Sequence, residues 1–247
     1  MSSGDSAANT PRQPAEGEDA EDDQQTPAAM MGLSRPGSLK FRIRPNPPKD
    51  PFPFAEGSAP TPGCVWMMPR AQAMALLQDY LSHVYPLLPV IHGPTTRDLI
   101  RKFYDGISRG EQLPPHTAAL VLGMGAVSAY LWQPDTGHYS RFACAKDAAG
   151  ASLVWRDWAS DILTTTATQG PGASTLEEVQ AWTLLSFMIQ NVEGCSYRFR
   201  IFHNQSLTAA RECLLHLIDS PKYGRSDDGV TREIKRRIWW HIAATDW

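Results

Sequence analysis

The sequence predicts an all-α protein, a helical bundle behind a long disordered N-terminal tail, and three observations carry that expectation. From about residue 69 onward, apolar residues recur at the three- and four-residue spacing of a helix face. Prolines, glycines and hydroxyl-plus-acid pairs punctuate these runs at helix length. No stretch alternates with period two and no hairpin turn sits between two apolar runs, so everything ordered is expected to be helical.

Composition bounds the rest. The 247 residues, 42% hydrophobic and 20% charged, suffice for one sizeable domain with tails. A net charge of −3 argues against a general nucleic-acid binder, which would be basic over a whole face. Cys64, Cys144, Cys195 and Cys213 are far apart and form no C-x-x-C pair, so four incidental thiols are expected rather than a structural zinc. Neither a signal peptide nor a run of about 18 apolar residues is present, which points to a reducing compartment, cytosol or nucleus.

Residues 1–62 are rich in Pro, Gly, Ser and acids, with acidic residues clustered from Glu16 to Asp23. Such a composition buries too little apolar surface to offset chain entropy and reads as a disordered tail. Arg35, Lys40, Arg42 and Arg44 follow, spaced by Pro, Gly and Ser. They read as a solvated linker balancing the acidic block, with a nuclear import signal or a phosphate contact as the other reading.

The ordered domain is expected over 63–247. Pro69 suits a first helical turn, and Ala73, Leu77, Tyr80, Leu81 and Val84 continue the helix until Pro86 stops it. Thr95 offers a hydroxyl cap with Asp98 three positions on, opening a helix with Leu99, Ile100, Phe103 and Ile107 on one face and Gly110 at its end. Pro114 and Pro115 start a third helix, Thr117 to Trp132, in which Ala119, Gly123, Ala126 and Ala129 form a nearly flat side that a neighbour can approach closely. A fourth, about Arg141 to Thr164, carries Trp155, Trp158 and Ile162 on one side.

Ser174-Thr175-Leu176-Glu177 has the form of a capping box, with the serine as cap. The helix it opens, through Val179, Trp182, Leu185 and Ile189, is apolar almost all round and is expected at the centre of the bundle. Phe199, Phe202, Ser206, Ala210, Cys213 and Leu217 pattern a further helix. In the closing stretch, Arg232 to Trp247, Ile234, Ile238 and Ile242 line one side and Trp239 widens the stripe, while Glu233, Lys235, Arg236 and Arg237 crowd the other end.

Four of these stretches resemble one known family. Glu233, Arg236, Arg237, Trp239, Trp240 and Asp246 match an "E-x-R-R-x-W-W … D" helix. Tyr80-Leu81-Ser82-His83-Val84-Tyr85-Pro86-Leu87-Leu88-Pro89-Val90-Ile91-His92 resembles "Y-F-x-x-V-x-P-x-x-P-I-L-H". The Ser174 helix is similar to "S-x-x-x-V-Q-A-L-L-L-L-S", and Ala210 to His216 to "A-x-R-x-A-x-x-L-G-L-H", without its glycine. In this order the motifs resemble the regulatory domain of fungal transcription factors, the middle homology region downstream of a binuclear zinc-cluster DNA-binding domain. The resemblance covers about residues 69–247 and implies an all-α domain longer than this chain, which reads as its N-terminal half, truncated at the C-terminus.

The resemblance implies a nuclear transcription regulator of metabolic genes, secondary-metabolite clusters among them. The family's DNA reader is a six-cysteine cluster that these residues lack, so direct DNA binding and zinc are not carried over. A heterodimer with a full-length zinc-cluster regulator, or contact with other transcription machinery, is the partnership it implies.

Enzyme signals are weak, and no catalytic, cofactor or metal residue is assigned. Gly106-Ile107-Ser108-Arg109-Gly110 satisfies G-x-S-x-G, but the elbow needs a strand entering the turn. Gly123-Met124-Gly125 lies inside a helix. The seven histidines form no short-spaced ligand pair and read as satisfied or exposed. Trp239 is expected in the core, with Arg236 and Arg237 pairing to acids on a neighbouring helix. The alternative function is a small-molecule sensor or an enzyme with a pocket between helices, lined by Trp132, Trp155, Trp158, Trp182, Phe187 and Met188.

Overall fold

A computed structural model of the chain describes residues 42–45, 64–134, 137–167, 174–221 and 227–245. All of these belong to the compact unit Ser38–Trp247; the unit Met1–Gly37 lies outside the described residues, as does most of the expected tail. The architecture is helical, as expected, with seven α-helices among the described residues.

One local expectation is overturned. Strand β1, Arg42–Pro45, pairs in parallel with β2, Cys64–Met67, Ile43 facing Val65 in register. Four-residue strands are too short to display alternation, and a parallel pair needs no hairpin turn, so neither sequence signal could reveal them. The sheet docks through Val65 and Met67, both buried, with Ile43 packed against the same core.

Helix α1, Arg70–Asp79, begins after Pro69 and continues as a π-helical turn, Tyr80–Val84. Pro86 has no amide hydrogen to extend it. The phenol of buried Tyr80 donates to the Leu88 carbonyl, so the Pro-Leu-Leu-Pro turn folds back on the helix that precedes it.

Helix α2, Gly93–Arg109, starts three residues earlier than expected, with Pro94 in its first turn and His92 as the boundary residue. Thr95 does not cap it: its hydroxyl lies 2.8 Å from His92 Nδ1 instead. Gly110 ends it in the left-handed conformation, φ 69°.

Helix α3, Pro115–Tyr130, is buried continuously from Thr117 to Ala129. Its flat side is real. Ala181 and Leu184 lie just beyond Gly123, while on the opposite side of α3 a Cβ on Gly125 would meet the Met68 methyl at 2.6 Å. Helix α4, Ala145–Ala167, lays Trp155, Trp158 and Ile162 against α3.

Helix α5, Leu176–Glu193, is capped by Thr175, whose hydroxyl accepts from the Glu178 amide at 3.2 Å. The expected cap, Ser174, donates to Glu212 at 2.6 Å instead. Two neighbouring hydroxyls compete for one amide, and the residue directly before the helix wins. Helix α6, Tyr197–Glu212, is capped by Ser196. It leads through Leu214, in the left-handed conformation at φ 57°, to a 3-10 turn, Leu215–Leu217.

Helix α7, Gly229–Thr245, opens behind Asp228, whose carboxylate accepts the Thr231 amide at 2.6 Å. The expectation of a central α5 holds in a modified form, because α3 shares the centre. Helices α1 and α4 pack on α3, α3 packs on α5, and α6 and α7 cover the far side of α5. Gln180 ties that middle to the Pro-rich turn by donating to the Val90 carbonyl at 2.7 Å.

Candidate functional site

The candidate site is the outer face of α7 with the two segments it touches. Ile234, Ile238 and Ile242, four residues apart, are 5%, 0% and 1% exposed and hold one stripe of the helix against the core. Trp239 packs half-buried beside them, its ring 5.8 Å from that of His216. Trp240, one position on, turns outward and is 65% exposed.

The charged motif residues form one relay. Glu233 accepts from Arg236 at 2.6 Å and from Arg237 at 2.9 Å, the three- and four-residue spacings that meet on a helix surface. Arg236 also grips Asp219 with two nitrogens, and Arg237 donates to the Tyr85 hydroxyl. Lys235 pairs with Asp227 at 2.7 Å. Thus the segment after α6, the first half of α7 and the turn beside Pro86 are stitched together.

The electrostatics follow from that stitching. Hydrogen bonds from Arg237 and then Arg236 hold the Glu233 carboxyl below its usual range, and Arg236 does the same to Asp219. Both arginines are held more firmly protonated by these acids. Exposed charge pairs add little stability, so the relay acts by fixing side-chain directions.

Sequence analysis placed the arginines' partners on a neighbouring helix. They are instead Glu233, one turn away on the same helix, and Asp219, which the fold brings beside Arg236 from the segment before α7. Asp246 lies outside the described residues.

Two of the residues expected to line an aromatic pocket pack into the core instead. Trp182 and Met188 are 2% and 0% exposed, and the Phe202 ring packs edge-on against Trp182 at 5.3 Å, so these side chains fill the core. A different, shallow cleft lies beside α7, between α2, α5 and α7, lined by His92, Thr96, Glu177, Gln180, Thr231 and Ile234, with a cavity volume of about 60 Å3 and partly open to solvent.

Ser108 sits inside α2 and donates to the Tyr104 carbonyl at 3.0 Å, so its hydroxyl belongs to the helix and not to a strand-turn elbow. Cys213 donates to the Ser174 carbonyl at 2.9 Å, and burial pushes its thiol up to about 11. No helix among the described residues is long and apolar enough to cross a membrane. The structure also brings together Asp79, His83 and His138, a cluster sequence reasoning did not assemble. Asp79 and His83 lie one helical turn apart, which was a visible signal; the position of His138 was not.

Residues 77–246 match the family model of the fungal specific transcription factor domain. The chain belongs to this family. The fungal specific transcription factor domain thus begins inside α1, and all four motifs read from the sequence, Asp246 included, fall within it.

The chain is similar to transcription factor TAS2 of Pyricularia oryzae, 37% identical over 196 residues, which cover 78% of this chain and 25% of that protein. It is similar to "Probable transcription factor lepB" of Aspergillus flavus, 35% identical over 189 residues, 74% of this chain and 33% of the relative. Agnestins biosynthesis cluster transcription factor AgnL11 of Paecilomyces divaricatus is 30% identical over 190 residues, 72% of this chain and 26% of its own length. The chain therefore spans about a quarter to a third of these curated relatives. No solved structure matches it.

Proposed function

We propose that this chain is a regulatory, protein-binding segment of a transcription regulator that acts in the nucleus on metabolic genes, a secondary-metabolite cluster among them. The supporting observation is the family match over residues 77–246, together with relatives that are named transcription factors, one of them for a biosynthesis cluster. In this reading residues 63–247 form the regulatory domain. In the same reading DNA is reached through a partner, a full-length zinc-cluster regulator or other transcription machinery. No catalytic step is assigned.

The decisive experiment tethers the whole chain to a heterologous DNA-binding domain and measures a reporter in a fungal host. Altered reporter output supports the reading; a folded, nuclear fusion that leaves the reporter unchanged overturns it. Zinc-dependent binding of a short DNA duplex by the purified chain alone would overturn the partner's role.

A second reading is small-molecule sensing, with the shallow cleft beside α7 as its site, where His92, Gln180 and Thr231 place polar groups among Leu99, Leu120 and Ile234. A thermal-shift screen with pathway metabolites tests it. Stabilisation that disappears in Thr231→Leu supports the cleft, and no stabilisation by any metabolite counts against it.

A further inference from the structure

Where α1 runs into the π-helical turn, Asp79 and His83 meet His138 from the segment between α3 and α4. One donor atom from each of the three lies within 4.8 Å of the other two. The Asp79 side chain is 1% exposed and that of His138 4%. The two imidazole rings are 4.1 Å apart, tilted by 38°.

His138 Nδ1 is buried and has no hydrogen-bond partner. The Asp79 carboxylate oxygen Oδ1 stands 3.5 Å from it, longer than a normal N–H···O hydrogen bond. A buried ring nitrogen left in this state is costly. We infer that Asp79, His83 and His138 form a divalent transition-metal site, with Zn2+ the best fit.

The donor set is chemically apt. Two imidazoles and one carboxylate are borderline ligands that suit zinc and its first-row neighbours, whereas Mg2+ and Ca2+ prefer all-oxygen sites. Ligands about 2.0–2.1 Å from a tetrahedral zinc lie roughly 3.3–3.4 Å from one another. The 3.5 Å between Asp79 and His138 already fits that edge, and His83 closes the set with a shift of about an ångström.

The surroundings orient the ligands as well. The Asp79 carboxylate accepts the Tyr139 amide at 2.5 Å, and its other oxygen accepts the Ser140 amide at 2.9 Å and the Ser140 hydroxyl. These take three of its roughly four lone-pair positions and leave one for a cation. His83 Nδ1 lies 3.2 Å from the Asp79 carbonyl; a proton donated there leaves Nε2 as the basic nitrogen, the outer-shell arrangement usual for metal-bound histidine. The Trp132 indole donates to the Ser140 carbonyl at 3.1 Å, holding the loop that carries His138. A three-ligand site keeps a fourth position for water or a further ligand, and it cross-links the end of α1 to that loop.

The test uses the whole chain, stripped with a chelator and titrated with Zn2+ against a chromophoric competitor. One Zn2+ per chain is expected, with Mg2+ inert. His83→Gln and His138→Gln, each checked for unchanged helicity by circular dichroism, should weaken binding at least about 10–100-fold, the loss that removal of an outer-shell partner alone brings. His216→Gln, at an exposed histidine, should bind like the wild type. X-ray absorption of the zinc-loaded wild type should show two imidazoles and oxygen with no sulfur. The site is overturned by zinc affinity that is unchanged in both variants, by a wild type that binds no zinc, or by a thiolate shell from the free cysteines.

Discussion

Two residues on α7, two positions apart, should respond oppositely to the same truncation. Ile238 is 0% exposed within the core, whereas Trp240 is 65% exposed. Ile238→Ala deletes three carbons, a transfer loss of about 2.4 kcal/mol at roughly 0.8 kcal/mol for each. The cavity left behind raises the cost, and buried Ile→Ala changes fall at about 2–5 kcal/mol. Trp240→Ala removes a larger side chain that is mostly in water, so its cost should stay within about 0.5 kcal/mol. Urea unfolding followed by far-UV circular dichroism reads the difference, with the melting temperature of Ile238→Ala falling by about 2–4 °C for each kcal/mol. Equal costs for the two variants, or a silent Ile238→Ala, would refute the docking of α7 and with it the geometry of the motif.

Leu214 holds a left-handed conformation, φ 57°, so Leu214→Gly should be more stable than Leu214→Ala by about 1 kcal/mol in denaturant titration, the reverse of their order in a helix. Burial, and then the neighbouring His203, depress the His241 pKa below its ordinary 6.5. The unfolded chain therefore takes up this proton first, and stability should fall as pH drops through about 6.5. His241→Gln should flatten that slope in melting curves taken across this range. Cys213, with its thiol raised to about 11, should be alkylated more slowly at pH 8 than exposed Cys144 and Cys195, as read by peptide mass mapping. Arg236→Ala should leave the melting temperature nearly unchanged while speeding amide exchange over residues 215–221, where its partner Asp219 sits.

The parts of the fold legible in the sequence were those written in local spacing. The isoleucine stripe of α7, the glycine stop after α2 and the polar cap before α5 each depend on residues within one or two turns of each other. What stayed hidden was decided by competition or by distance. Thr175 rather than Ser174 caps α5, a choice between adjacent hydroxyls that the sequence states equally well either way. The β1–β2 pair joins four-residue strands separated by residues 46–63, and nothing local announces such a pairing.

The motif helix shows the same division within a single element. Its signature groups two arginines and two tryptophans, a composition suited to phosphates and bases. The structure sorts them by partner instead. Glu233 lies one turn from both arginines, and Asp219 and Tyr85 accept further hydrogen bonds from them, so both guanidinium groups are engaged within the fold. Trp239 goes to the core, and Trp240 alone of the pair faces outward. A basic-aromatic pattern therefore becomes an internal brace with one exposed ring. That outcome turned on Asp219, outside any motif, and on Tyr85, at an unspecified position of the Tyr80–His92 motif, both brought to the arginines only by the packed bundle.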